Sequence, residues 1–199
     1  MQEIILASAN PHKIDEIYAI LKDFDYKILS LDHVGLGDLD IVEDGDTFEA
    51  NSLIKAKTVY EKTGKPAIGD DSGLMVDCLN GEPGVYSARY SGEDKNYKAN
   101  NDKLLANMTG IPEEKRGAKF VTVITLMFSP TDILVARGEI HGIIGMTLKG
   151  NNGFGYDPLF IVPSLGKTFA EMDAEEKNSM SHRANALIQL KSLLEERKT

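Results

Sequence analysis

A chain of 199 residues, 42% of them hydrophobic, is long enough to bury its own core, either as one large domain or as two small lobes sharing a sheet. A formal net charge of −9 excludes broad non-specific binding to nucleic acid or anionic membrane, both of which need a basic surface, so a polyanionic small substrate would need a local basic pocket. A single cysteine, Cys78, excludes an intrachain disulfide and a cysteine-built metal cluster, and the opening MQEIILASAN has neither the basic leader nor the apolar length of a signal or membrane span, which reads as a soluble cytoplasmic protein.

Gln2 to Ser8 is apolar and β-branched enough for a buried strand, and Asn10-Pro11 follows at once. Asparagine suits an N-cap and proline the first helical position, and Ile14, Ile17, Tyr18 and Leu21 then recur at helical spacing, predicting a helix from about Pro11 to Lys22. A short strand near Tyr26 to Leu29 precedes an acidic loop, Asp38 to Asp46. The spacing Asp46-Thr47-Phe48-Glu49 resembles a capping box for a second helix reaching about Lys62. Gly64 ends that helix. Pro66-Ala67-Ile68-Gly69 leads into Asp70-Asp71-Ser72-Gly73, read as a break before a strand at Leu74-Met75-Val76.

A third helix is predicted from about Asp94 to Met108, closed by Gly110-Ile111-Pro112. The β-rich runs Ala118 to Phe128 and Ile133 to Ile144 read as an antiparallel hairpin whose loop, around Ser129 to Asp132, is longer than the tightest type. The glycine-rich stretch Gly150 to Pro158 looks like a ligand loop before a strand at Leu159 to Val162. A last helix begins after Ser181 and keeps Leu187, Ile188, Leu190 and Leu194 mostly on one side.

Several of these segments can carry chemistry. The turn Ser8-Ala9-Asn10-Pro11-His12-Lys13 aims backbone amides and a positive helix end where an anion can sit, with Lys13 adding a full charge; the same residues also suit an ordinary capped helix. Neighbouring carboxylates on extended backbone face opposite ways, so one of Asp70 and Asp71 can face a cleft while the other holds the turn. Magnesium needs only one or two protein carboxylates plus phosphates and water, and Asp71 can supply one. The bland alternative is an acidic turn with Gly73 at positive φ. Glu43 in the acidic loop can add a ligand or remain solvated. The Phe154-Gly155-Tyr156-Asp157 loop pairs aromatic rings with permissive glycine, as a purine stack would, although such rings also fill cores. Lys177 with Ser181-His182-Arg183 places cations before or at a helix start, where they oppose the macrodipole, and donors from His182 and Arg183 would suit a purine oxygen at position six; a basic first turn after a serine cap is the other reading.

Taken in order, Ser8 to Lys13, Thr47-Phe48-Glu49-Ala50-Asn51, Asp70 to Leu74, Ser87-Ala88-Arg89-Tyr90-Ser91-Gly92, Phe154 to Pro158, Glu176-Lys177-Asn178 and Ser181 to Arg183 resemble the inosine triphosphate pyrophosphatase family, the noncanonical purine nucleoside triphosphate pyrophosphatases. The resemblance spans nearly the whole chain. It implies one pyrophosphatase domain with two lobes in an elongated α/β fold, whose long twisted mixed sheet floors a central nucleotide-binding cleft, usually in a homodimer. It further implies that Ser8 to Lys13 hold phosphates, that Asp71 is metal ligand and general base, and that Ser72 contacts substrate. Phe154, Gly155, Tyr156, Asp157, Lys177, His182 and Arg183 would form the base side. Many relatives carry two acids where this chain has Val42-Glu43, and the metal role carried over falls on Glu43. The implied reaction uses magnesium and water to convert inosine, deoxyinosine or xanthosine triphosphate to monophosphate and pyrophosphate.

Overall fold

The computed structural model describes residues 2–21, 26–93 and 95–197. In chain order the elements are β1 Gln2–Leu6, α1 Pro11–Leu21, β2 Tyr26–Leu29, α2 Phe48–Thr63, β3 Ala67–Val76, α3 Tyr97–Asn107, β4 Gly117–Ser129, β5 Asp132–Ile144, β6 Phe160–Val162, β7 Lys167–Thr168, α4 Ala174–Asn178 and α5 His182–Arg197. The strands form one mixed seven-stranded sheet in the order β2-β1-β3-β4-β5-β6-β7. β1 runs parallel to β2 and β3, whereas β6 is antiparallel to β5 and β7. Lys22 and Asp94, where the first predicted helix ends and the third begins, lie outside the described residues. Among those described, no helix is long and apolar enough to cross a membrane.

The chain divides into two compact units: residues 1–71, 122–138 and 183–199 form the first, and residues 72–121 and 139–182 the second. In the first, Asn10 Oδ1 accepts from the His12 amide and starts α1, which buries Ile17 and Leu21. These pack with Ile4, Leu6, Ile68 and Ile124, and with Ala186, Leu187, Leu190 and Leu194 of α5. Ile188 does not join them: it is 59% exposed while Leu187 is 1% exposed, because consecutive helical residues point about 100° apart. A separate cluster of Ile5, Ala7, Leu29, Leu31 and Ala67 receives Val59 of α2. In the second unit Leu74, Leu104, Met108, Phe120, Phe160 and Phe169 belong to one core.

Three further sequence expectations change. The α2 cap is Thr47, whose hydroxyl accepts from the Ala50 amide, and not Asp46; Glu49 instead pairs with Arg137. The loop between β4 and β5 is only Pro130-Thr131, so the connection is of the shortest kind. The acid pair does not sit at a break: β3 runs unbroken through Asp70, Asp71 and Ser72, and Gly73 lies outside the positive-φ region. Sheet pairing overrides the turn propensity of Asp-Asp-Ser-Gly.

Candidate active site

The unbroken strand sends Asp70 and Asp71 to opposite faces of the sheet, where different helices meet them. On one face α1 and α5 deliver cations to Asp70. Lys13 Nζ lies 2.6 Å from Asp70 Oδ1, and Arg183 Nε lies 3.3 Å from Oδ2. The fully buried Arg183 guanidinium also pairs with Glu16 of α1. On the other face α2 meets Asp71: Asn51 Nδ2 donates to Asp71 Oδ2 at 3.1 Å, and Lys55 Nζ stands 3.6 Å from Oδ1. The same ammonium lies 2.7 Å from Glu43 Oε2, so the acidic-loop carboxylate and the strand carboxylate converge on one cation.

The close seat of α2 on β3 depends on Gly69. A Cβ there would stand 2.0 Å from the Ser52 carbonyl oxygen and 2.7 Å from the Ala56 nitrogen, both backbone atoms of α2. Ser52 also shares a 2.8 Å hydrogen bond with Thr125 of β4. The helix therefore buries Asn51, Ser52 and Lys55 in register with Phe48 and Val59, and this polar stripe lies against the sheet.

These surroundings push the two neighbouring acids apart. Burial opposes charge on Asp70, but Lys13, Arg183 and Lys55 outweigh it and hold the carboxyl far below the usual carboxylate range. At Asp71 burial is the larger influence, the cations offset it only in part, and Glu43 adds to it, so this carboxyl is held above its ordinary value. Burial likewise pulls the Lys13 ammonium below the usual lysine range against the attraction of Asp70. Asp70 is thus a fixed anion, whereas Asp71 is the better proton acceptor of the two.

The other sequence candidates are placed as follows. In the turn before α1, Ser8 Oγ accepts from the Asn10 amide, Ala9 and His12 are exposed, and Pro11 opens the helix. Ser72 continues β3. In the second unit Asp157 is buried, and its Oδ2 accepts from Lys177 Nζ and the Phe154 amide, each at 2.8 Å. Lys177 Nζ also stands 4.9 Å from the centre of the Phe154 ring, which leans on Tyr97 at 6.1 Å. Tyr156 is buried in the core and its hydroxyl donates to the Ser87 carbonyl; burial raises its phenol above the usual range. Gly155 takes φ +61° and its carbonyl accepts from Asn101. His182 stacks on Phe120 with ring centres 4.8 Å apart.

Phe154, Asp157, Lys177 and His182 thus share the second unit, while Arg183 is held by Glu16 and Asp70 in the first. Lys177 lies before the last helix, as read from sequence, but it sits in the last turn of the short α4, where a cation complements the helix dipole instead of opposing it. Sequence alone assigns no role to Lys55, Asn51 or Glu16. The available signal was Lys55 and Asn51 standing one helical turn apart where an amphipathic helix would carry apolar residues.

Comparison with known proteins adds to this geometry. A family model described as the Ham1 family matches residues 4–193. A curated relative from Clostridium perfringens, named dITP/XTP pyrophosphatase, is 48% identical over 98% of this chain and 98% of its own. One of the same name from Haemophilus influenzae is 48% identical over 97% of this chain and 99% of its own. A solved HAM1 protein from Coxiella burnetii superposes with a TM-score of 0.90 at 41% identity, covering 98% of this chain and all of the other.

Proposed function

The chain belongs to the Ham1 family, and from that premise we propose that it hydrolyses noncanonical purine nucleoside triphosphates, dITP, ITP and XTP among them, to the nucleoside monophosphate and pyrophosphate. The observation that carries the chemistry is the division of the acid pair, with Asp70 neutralised by Lys13 and Arg183 and Asp71 kept more basic beside Lys55 and Glu43.

Magnesium fits this donor set. Among the described residues no three acid, histidine or cysteine side chains form a metal cluster, but Glu43 and Asp71 already face one cation, and magnesium asks for one or two carboxylates when phosphate and water complete its shell. Those two residues would hold it, and when bound it neutralises phosphate charge and acidifies water. Asp71 orients the attacking water and takes its proton. Lys13, at the positive start of α1, draws the phosphates, while Asp70 keeps that ammonium in place. A bond from the water oxygen to phosphorus forms as the anhydride bond between the α- and β-phosphoryl groups breaks, the water proton passes to Asp71, and monophosphate and pyrophosphate separate, so no enzyme nucleophile is required and Ser72 serves only as a substrate contact.

The base side is assigned to Phe154 as the stacking ring, with Lys177 and His182 as donors to the purine oxygen. Asp157 holds Lys177 and the Phe154 loop in place, and Tyr156 supports the loop from the core. Arg183 is assigned to the phosphate side, where it fixes Asp70. The enzyme is taken as one catalytic domain, cytoplasmic and homodimeric, on the strength of the family resemblance; light scattering at working concentration reports the mass. The deciding experiment incubates purified protein with magnesium and a panel of purine triphosphates. Pyrophosphate released faster from ITP and XTP than from ATP supports the proposal, and nucleotide binding without pyrophosphate release defeats it.

A further inference from the structure

Asn51 is buried at 1% exposure and uses both ends of its side chain. Nδ2 donates to Asp71 Oδ2 at 3.1 Å, and Oδ1 accepts from the Gly45 amide at 2.8 Å. Its two partners lie on the two segments that carry the proposed metal ligands, β3 with Asp71 and the acidic loop with Glu43. Resting on the pyrophosphatase reading, we propose that Asn51 is a positioning residue that aims the Asp71 carboxylate and sets where the acidic loop holds Glu43.

The chemistry of the position is restrictive. A carboxamide donates from one end and accepts at the other without charge; an ionised aspartate of the same size only accepts, and leucine does neither. One Asp71 oxygen faces Asn51 and the other faces Lys55, two residues one turn apart on α2, so the carboxylate plane is referenced to a single rigid helix. The loop is held as closely. A Cβ at Gly45 would lie 2.7 Å from Asn51 Oδ1 and 2.7 Å from the Ala50 Cβ, so the loop amide reaches Asn51 because residue 45 has no side chain. Lys55 then joins Glu43 to the same helix by charge. Separate segments thereby acquire a common reference, which is how a water-activating carboxylate keeps its aim.

The test compares wild type, Asn51→Leu, Asn51→Asp and Gly45→Ala. In Asn51→Leu, kcat for ITP should fall between about tenfold and a hundredfold, while KM, and the ITP Kd measured without magnesium, stay within about threefold. Asn51→Asp should lose kcat comparably yet keep slow hydrogen exchange at the Gly45 amide, which Asn51→Leu loses. Gly45→Ala should lower kcat with Asn51 intact. A kcat within about twofold of wild type in folded Asn51→Leu and Asn51→Asp overturns the positioning role, as does a loss shared equally by kcat, nucleotide Kd and thermal midpoint. Should Asn51→Leu fail to fold, Asn51→Asp and Gly45→Ala decide by the same readouts. A wild-type protein that releases no pyrophosphate overturns the pyrophosphatase reading and this role with it, whereas an active wild type with unaffected variants overturns the role alone.

Discussion

Each unit buries an arginine, and the two are satisfied by opposite kinds of partner. Arg183 in the first unit meets the carboxylates of Asp70 and Glu16. Arg116 in the second meets backbone carbonyls: Nε donates to Ile144 at 2.7 Å, Nη1 to Met108 at 3.0 Å and Ile111 at 3.3 Å, and Nη2 to Gly145 at 3.0 Å. Carbonyl oxygens do not titrate, so Arg116 ties the end of α3 to the end of β5 and transmits nothing further. Carboxylates carry charge, and Asp70 also binds Lys13, so the surroundings of Arg183 extend into the groups assigned to chemistry. The same buried residue type is therefore a tie in one unit and part of an electrostatic network in the other.

The largest effect should come from Asp71→Asn, which removes charge and basicity at nearly constant shape: pyrophosphate release falls about a thousandfold or more while nucleotide binding persists. Near-normal turnover would remove Asp71 from its role. Next, Arg183→Met leaves Asp70 and Glu16 facing each other with one cation fewer, costing about 3–5 kcal/mol in denaturant unfolding and lowering kcat as well. Arg116→Met leaves carbonyls short of donors and costs about 2–3 kcal/mol, yet kcat and KM for ITP should stay within about twofold in the folded protein. Matching losses of activity in both variants would erase the contrast between the two arginines. Gly69→Ala forces α2 off β3 and should cost about 1–3 kcal/mol in thermal or denaturant stability, with a drop in kcat because Asn51 and Lys55 move with the helix; unchanged kcat in that variant would show the seat of α2 to be immaterial. The smallest effect belongs to His182→Phe, which keeps a ring beside Phe120 and removes the nitrogens. Stability should change by less than about 1 kcal/mol while the preference for ITP over ATP falls about tenfold. An unchanged ratio would take His182 out of base recognition.

Composition and periodicity made much of the fold legible: α1 and α5 declare themselves by helical spacing, and β1, β4 and β5 by their apolar, β-rich runs. β7 and α4 are two and five residues long, too short to show a period, and they fold because their neighbours pair with them. The break read at Asp70 followed local turn propensity, which the sheet overrides. At the site, the acid pair and the order of motifs were visible, but the partners were not. Glu16, Asn51 and Lys55 approach from helices whose rotation about their axes is set by packing, and the same rotation turns Arg183 away from its neighbour His182 and toward Asp70. A run of residues names the groups available; the tertiary packing decides which of them meet.

That β3 stays straight through its acids makes their assignment a matter of parity. Each acid owes its surroundings to whether its position along the strand is odd or even, counted from the pairing of Ile5 with Ala67 and Leu6 with Ile68. One residue inserted between Gly69 and Asp70 would exchange the two acids between faces: the first would take the seat beside Asn51 and Lys55, and the second would lie on the face of Lys13 and Arg183, one pleat beyond the neutralised seat. Two inserted residues would restore the faces and carry both acids one pleat beyond their cations. The spacing between the β1 register and Asp71 is therefore as much a part of the site as the carboxylate itself, and a homologous strand that kept both acids but changed that count would preserve the composition of the site without preserving its chemistry.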